Sequence, residues 1–408
     1  MEKLAKALER SSYWLIVLLP FGMAIAPAPM NVFMGLLIAS FFFGKLLRRQ
    51  LPISLTPLSI PLLLLFLVTC ISLVNSVDLR DSYVGGILRL LQYIFIFFAV
   101  TDGIKDARHI KIIIGSIALG AFLVSMDALW QVQTGADFIR GYAPVVNIGI
   151  VRATASFKDS NVFGIYLSAL APLIFGLTIF FYRKKYGLLF IIISLAILIG
   201  IVLTYSRPSL LAIYVVFILF GICKRNKIIL SLLIVFTLLS PFMAPKPVKQ
   251  WAKDTNYNPV RFMCNDDRIA IYLNSLNMIQ AHPFIGVGAN AFMNSYKYYK
   301  DFPEYRGVVT LDEMKAHSIY LHTAGEIGLI GLAIFIWLLC KLFIEARQIY
   351  RSLDDDFLKI IVLSLSGCLL AFLVNGLTES SLSYSRVSLV FWYLCGFLFS
   401  IRRLQPAK

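Results

Sequence analysis

The run Ala316-His317-Ser318-Ile319-Tyr320-Leu321-His322-Thr323-Ala324-Gly325-Glu326-Ile327-Gly328-Leu329-Ile330-Gly331-Leu332 leads a polar segment into a long apolar one. It closes a stretch, 261–331, that starts in a mildly basic loop and ends inside a segment apolar enough for a membrane helix. His317 stands at the crossing. Outward from it, apolar segments recur along nearly the whole 408-residue chain, which is 59% hydrophobic and only 15% charged. Mean hydropathy is +0.79. A soluble protein of this size has too little interior to hide so much apolar surface, so the composition implies a polytopic membrane protein. Continuous apolar runs fit helices; barrel strands would alternate apolar and polar residues. The fold class expected is therefore all-α and membrane-spanning.

Twelve spans are expected, at about 12–27, 29–45, 57–75, 84–101, 110–131, 161–182, 187–205, 208–223, 227–244, 318–343, 357–377 and 383–401. Charge orients them. With the N-terminus cytoplasmic, every inside segment carries at least three Lys or Arg, as in Lys45/Arg48/Arg49, Lys105/Arg108/Lys111, Lys224/Arg225/Lys227 and Arg402/Arg403/Lys408. The short outside loops carry one each, Arg80, Arg207 and Arg386. This bias puts both termini in the cytoplasm. It also accounts for the net charge of +16 without invoking nucleic acid. The first apolar segment follows Lys3, Lys6 and Arg10 and is read as a retained helix, because a second helix follows with no small-residue cleavage site between. The division expected is helices one to nine over 1–244, a loop domain over 245–316, and helices ten to twelve over 317–408.

Two outside segments are long, 132–160 and 245–316. In the second, Ile269, Tyr272, Leu273, Leu276 and Ile279 recur at helical spacing, which predicts an amphipathic helix over 268–281 capped by Asp266 or Asp267. Gly286 and Gly288 then mark a turn, and a second helical stretch, rich in Tyr and Phe, is expected over 289–300. Both helices are expected on the outer, membrane-facing surface. Cys264 alone among six cysteines falls in this loop, so no disulfide framework is expected. The inside loops are too short for a nucleotide- or sugar-nucleotide-binding module.

Charges in or beside the membrane are expensive and mark candidates: Arg89, Asp127, Arg207, His317, Glu326, Glu379 and Arg386. Arg207, in Thr204-Tyr205-Ser206-Arg207-Pro208-Ser209, either forks onto a phosphate or snorkels at a helix end. Arg268 opens the amphipathic loop helix and, taken alone, reads as a solvated face residue. His317 is either a polar cap or the group suited to take a proton near neutral pH. Glu326 follows His322 by four residues on one helical face, a spacing that is too little for a metal site without further ligands. Gly325, Gly328 and Gly331 suggest the close approach of another helix.

Four pieces taken in order resemble the O-antigen ligase/polymerase family of bacterial membrane glycosyltransferases. They are Arg152-Ala153-Thr154-Ala155-Ser156-Phe157-Lys158-Asp159-Ser160-Asn161; Tyr205-Ser206-Arg207; Arg268-Ile269 through His282-Pro283-Phe284-Ile285-Gly286-Val287-Gly288 and Phe292; and His317-Ser318 with Tyr320-Leu321, followed by Glu326, Gly328 and Gly331-Leu332. Pro208 and Ser160 depart from the usual pattern, outside the expected chemistry. The resemblance implies a GT-C-like fold of about twelve helices in the bacterial inner membrane, with the active site facing the periplasm. It implies transfer of O-antigen polysaccharide from undecaprenyl pyrophosphate to lipid A–core oligosaccharide, with inversion and without metal or other cofactor. His317 is then the catalytic base. Arg207 and Arg268 hold the pyrophosphate, and Arg152, Asn161, Tyr320 and Glu326 support the site.

The nearest alternative is an O-antigen polymerase, which joins lipid-linked repeat units by the same chemistry. An O-linked protein oligosaccharyltransferase is a third family outcome, usually with a larger outer segment. A transporter would need matching broken helices in two related halves, and no such repeat is evident.

Overall fold

The computed structural model describes residues 1–223, 231–301 and 312–404, apart from 52, 148, 232, 236, 239–241, 243, 260, 261, 263 and 265. Arg261, the segment Lys224/Arg225/Lys227, Lys408 and most of the expected ninth span, 227–244, lie outside the described residues.

Helices dominate: α1 (Glu2–Ile25), α2 (Pro27–Leu47), α3 (Ser59–Ile71), α4 (Leu79–Gly103), α5 (Ala107–Thr134), α6 (Ser160–Phe181), α7 (Gly187–Leu203) and α8 (Arg207–Cys223). After them come α9 (Lys246–Asp254), α10 (Asp266–Ala281), α11 (Phe292–Tyr296), α12 (Ile319–Ser352), α13 (Asp356–Asn375) and α14 (Ser385–Arg403). Six of these, α2, α4, α5, α6, α12 and α13, are long and apolar enough to cross a membrane. Three shorter apolar helices correspond to α3 with its 3-10 extension, α7 and α8.

The exposed surface agrees with a bilayer. On α7, Leu188, Ile192, Leu195, Ile199 and Val202 repeat at helical spacing and are all exposed. Such a stripe is a liability in water and an ordinary lipid-facing surface in a membrane. At the centre lies α6, whose most apolar window is 89% buried, against 33% for α2. It packs on α7, α8 and α13, while α14 packs on α4. Buried polar contacts tie the centre together: Asn375 donates to Ser168 Oγ at 3.0 Å and accepts from Ser209 Oγ at 3.1 Å, joining α13, α6 and α8.

Two candidate charges serve this frame. Arg386 is buried and donates to the carbonyls of Met23 (3.0 Å), Ala24 (2.6 Å) and Ser156 (2.8 Å), pinning the α1–α2 corner and the segment before α6 to the start of α14. Asp127 accepts the Phe138 N–H at 2.7 Å and holds the chain as it leaves α5. That segment then forms a short antiparallel hairpin, β1 (Val145–Asn147) with β2 (Ile150–Arg152).

The loop region differs from expectation. Helix α10 covers the predicted 268–281 and starts two residues earlier, but its buried stripe is Ile271, Asn274, Ser275, Met278 and Ile279, while Ile269 and Leu276 face outward. Asn274 explains the rotation, because it donates to Tyr296 Oη at 2.9 Å and accepts the Asp301 N–H at 3.2 Å, holding the polar side inward. Helix α10 packs against α12. The side chains of Asp266 and Asp267, the expected caps, lie outside the described residues. The expected helix over 289–300 is shorter, α11 with a 3-10 turn at Lys297–Tyr299.

Gly328 of α12 also acts differently from expectation. At Ile327 and Gly328 the helix breaks, with Gly328 at φ 72°. The 283–288 loop docks into this break. Val287 and Gly288 donate to the freed carbonyls of Gly325 (2.9 Å) and Glu326 (3.0 Å), and Leu329 donates to Pro283 at 2.7 Å. A Cβ at Gly328 would fall on the Phe284 carbonyl. At Gly328 the close neighbour is thus a loop, which satisfies backbone groups that a broken membrane helix would otherwise leave bare, whereas at Gly325 it is Phe292 of α11.

Candidate active site

Glu379 is the point where the candidate residues meet. It lies in the turn between α13 and α14, only 1% exposed. Its Oε1 accepts from Arg268 Nη2, on α10, and from Asn161 Nδ2 at 3.1 Å, on the first turn of α6. Its Oε2 faces His317 Nδ1 at 3.2 Å. Asn161 Oδ1 in turn accepts from Arg152 Nη2 at 2.6 Å, and Arg152 Nε donates to the Thr204 carbonyl at 2.8 Å. One carboxylate therefore joins the hairpin, α6, the loop helix α10 and the start of α12.

Each position has a local cause. Asp159 caps α6 by accepting the Val162 N–H at 2.9 Å, which sets Asn161 on the first turn. Ser318 caps α12, and the Ile319 N–H donates to the Gly376 carbonyl at 2.8 Å, bringing the His317 segment against the Glu379 turn. His317 itself has φ 48°, a left-handed conformation that costs a non-glycine residue about 1–2 kcal/mol. Tyr272 Oη donates to its carbonyl at 3.1 Å and helps hold it there. Strain of this kind collects at functional sites.

Electrostatics favour an ionised Glu379. Burial alone would raise its pKa, but hydrogen bonds and charge from His317 and Arg268 outweigh burial and hold the carboxyl below its ordinary value. An ionised carboxylate only accepts, so the proton between it and His317 belongs on Nδ1. In the neutral imidazole Nε2 then keeps its lone pair, the form a general base requires.

Cations exceed carboxylates here. Arg268 is buried, and burial lowers the pKa of Arg152 against the opposing pull of Asp159 and Glu379. Arg207, at the start of α8, lies within electrostatic reach of both arginines. It does not touch Glu379; its guanidinium sits 3.9 Å over the Trp251 ring and donates to the Phe262 carbonyl, so α9 and the following segment cover it. Lys315, not singled out in the sequence, stacks 3.4 Å from the Tyr384 ring centre. Burial pushes its pKa down to about 8, while Asp159, Glu379 and Glu326 oppose the shift. Arg152, Arg207, Arg268 and Lys315 thus surround one buried carboxylate, an arrangement suited to an anion.

The expected residues divide accordingly. His317, Arg268, Arg152 and Asn161 form one network, with Arg207 beside it. Tyr320 packs partly buried against the bundle core. Glu326 is separate: it pairs with His322 Nε2 at 3.3 Å, within α12, and lines with Arg89 a cavity of about 160 Å³. Among the described residues no three His, Cys, Asp or Glu side chains group as metal ligands. Glu379 was visible in the sequence as a costly charge, but without a role.

A buried carboxylate–histidine pair among arginines, where a helical membrane bundle meets its loop region, defines a membrane protein with a polar, anion-suited site. Residues 192–336, which include Arg207, Arg268 and His317, match the family model described as O-antigen ligase. Over 362 residues the chain is 25% identical to an O-antigen polymerase of Salmonella muenchen, covering 82% of this chain and 85% of that protein. Together the two matches support the O-antigen ligase/polymerase family for this chain.

Proposed function

We propose that the chain is an inverting, metal-independent glycosyltransferase that moves O-antigen polysaccharide from undecaprenyl pyrophosphate to lipid A–core oligosaccharide. The observation that carries the reading is the contact of His317 Nδ1 with Glu379, itself paired with Arg268. His317 Nε2 takes the proton of the acceptor hydroxyl as its oxygen attacks the anomeric carbon. The new glycosidic bond forms as the bond from that carbon to the pyrophosphate oxygen breaks, and undecaprenyl pyrophosphate leaves with the electron pair. Attack opposite the leaving group inverts the anomeric configuration. Arg268 and Arg207 neutralise the pyrophosphate as charge grows on it. Glu379 keeps the imidazole in the reactive tautomer and stabilises the imidazolium that forms. Arg152 and Asn161 position Glu379.

The membrane orientation belongs to the same proposal: twelve helices in the bacterial inner membrane, both termini cytoplasmic, and the site toward the periplasm. Support comes from the cations Lys45, Arg48, Lys105, Arg402 and Arg403, which gather on the face that carries the start of α1 and the end of α14.

The family model, which spans the proposed base and both phosphate-binding arginines, favours the ligase. Similarity to an O-antigen polymerase over most of the chain favours the second reading, transfer to another lipid-linked repeat unit. Expression in a host lacking its own ligase separates the two. Long-chain bands on lipid A–core in a lipopolysaccharide gel identify the ligase. Lengthened lipid-linked polymer without transfer to core identifies the polymerase. Neither product from well-expressed protein, with the matching donor and acceptor supplied, would count against both.

A further inference from the structure

The opposite face of the bundle holds a second cavity, of about 490 Å³. It opens among the first turns of α1, the last turns of α2 and α4, and the start of α5. Lys6, Arg10, Lys45, Arg48 and Lys105 line it. Glu9 and Asp102 are the carboxylates on the same wall, so three positive charges are in excess. The two acids work as tethers. Glu9 Oε2 holds Arg48 at 2.9 Å and Lys105 at 3.3 Å. Asp102, 5% exposed at its side chain, holds Lys45 at 2.6 Å, accepts the Ser54 hydroxyl at 2.6 Å and pairs with Arg403.

Cations at the ends of α2 and α4 have a structural use, since helix C-termini attract them. That use accounts for Lys45 and Lys105 and not for the excess. Arg10 makes no ion pair among the described residues, and Lys6 pairs only with Glu2, along an exposed helix face. Tyr13 and His109, with ring centres 4.0 Å apart, contribute an aromatic wall. Leu4, Phe43, Leu46 and Leu51 are exposed close by in sequence, an apolar flank suited to lipid. A basic cavity between helix ends, next to an apolar flank, has the chemistry of a phospholipid headgroup site.

We propose that this cavity binds a phosphate-bearing anion, presented either as the headgroup of an anionic phospholipid or as free phosphate, separately from the saccharide chemistry. The test uses the full chain in detergent, titrated with short-chain phosphatidylglycerol, short-chain phosphatidylcholine and inorganic phosphate. The variants are Arg10→Gln/Arg48→Gln and a control, Lys184→Gln/Lys185→Gln, which removes the same charge from the same face away from the cavity. Phosphatidylglycerol is expected to bind more tightly than phosphatidylcholine, and the cavity variant to weaken it about ten-fold or more. The control is expected to stay within about two-fold. Binding of phosphatidylglycerol that inorganic phosphate does not displace identifies the headgroup. Saturation by phosphate alone, lost in the same variant, identifies the free anion. Equal affinity for both lipids without phosphate binding, no loss in the cavity variant, or equal loss in the control would each overturn the proposal. Should the double variant melt early, Arg10→Gln alone removes a side chain without an ion-pair partner and reads the same question.

Discussion

Replacing Glu379 by Gln keeps the shape of the side chain and removes its charge. Two consequences can be worked out. The first concerns stability. Glu379 and Arg268 form a buried pair with side chains 1% and 10% exposed, and removing one partner of such a pair costs about 3–5 kcal/mol. Gln recovers part of this, because its amide oxygen still accepts from Arg268 and Asn161. The second concerns the imidazole. The Gln amide nitrogen then faces His317 Nδ1 and donates to it, which drives the ring proton to Nε2. That nitrogen no longer has a lone pair for the acceptor hydroxyl. Loss of general-base catalysis is worth about 10²–10⁴-fold in rate. The assay is transfer of fluorescent lipid-linked saccharide by purified protein, normalised to the folded fraction. A Glu379→Gln variant that transfers faster than about one-tenth of the wild-type rate would refute the assigned tautomer. The same variant also tests pH dependence. Because Glu379 titrates below its ordinary value when folded, its stabilisation is present above the unfolded pKa and is lost as pH falls through the folded one. Wild-type Tm is therefore expected to drop on acidification below about pH 4.5, the ordinary carboxyl value, and the Gln variant to lose that component of the drop.

Arg207→Lys removes both the guanidinium fork and its stacking on Trp251, so the donor KM is expected to rise about ten-fold, with an unchanged KM as the contrary result. Lys315 gives up its proton at about pH 8 when folded and at its ordinary 10.5 when unfolded, so the unfolded chain holds more protons between these values. Tm should therefore gain a rising component from pH 8 toward 10.5 that Lys315→Met lacks; identical profiles for the two proteins would rule out this burial. Gly328→Ala puts a Cβ on the Phe284 carbonyl at a left-handed position, and destabilisation by about 1–3 kcal/mol is expected, read as loss of thermal stability.

The helices were largely legible because apolar length and charge bias are properties of the chain itself. The expected 187–205 and 357–377 segments emerge as Gly187–Leu203 and Asp356–Asn375. The path of the loop region was less legible. Ile269 and Leu276 have helical spacing, yet Asn274 and its hydrogen bonds set which side of α10 turns inward, and spacing alone does not contain that information. The break at Ile327–Gly328 likewise depends on a loop some forty residues earlier that supplies the missing donors. The site was half legible. His317, Arg268, Arg152 and Asn161 were identified through the resemblance, and the structure joins them. What joins them was hidden, because Glu379 meets its partners across 62, 111 and 218 residues of chain. Lys315 carried no signal beyond that of an ordinary loop lysine.

The most direct measurement is a two-product assay on purified protein with a defined undecaprenyl-pyrophosphate-linked saccharide and a phosphorylated core oligosaccharide acceptor. It follows glycan joined to acceptor and undecaprenyl pyrophosphate released, for wild type and for His317→Ala at matched thermal stability. The expected result is equal amounts of both products from wild type and a loss of about 10²-fold or more in the variant. Wild-type-like transfer by His317→Ala would contradict the central assignment.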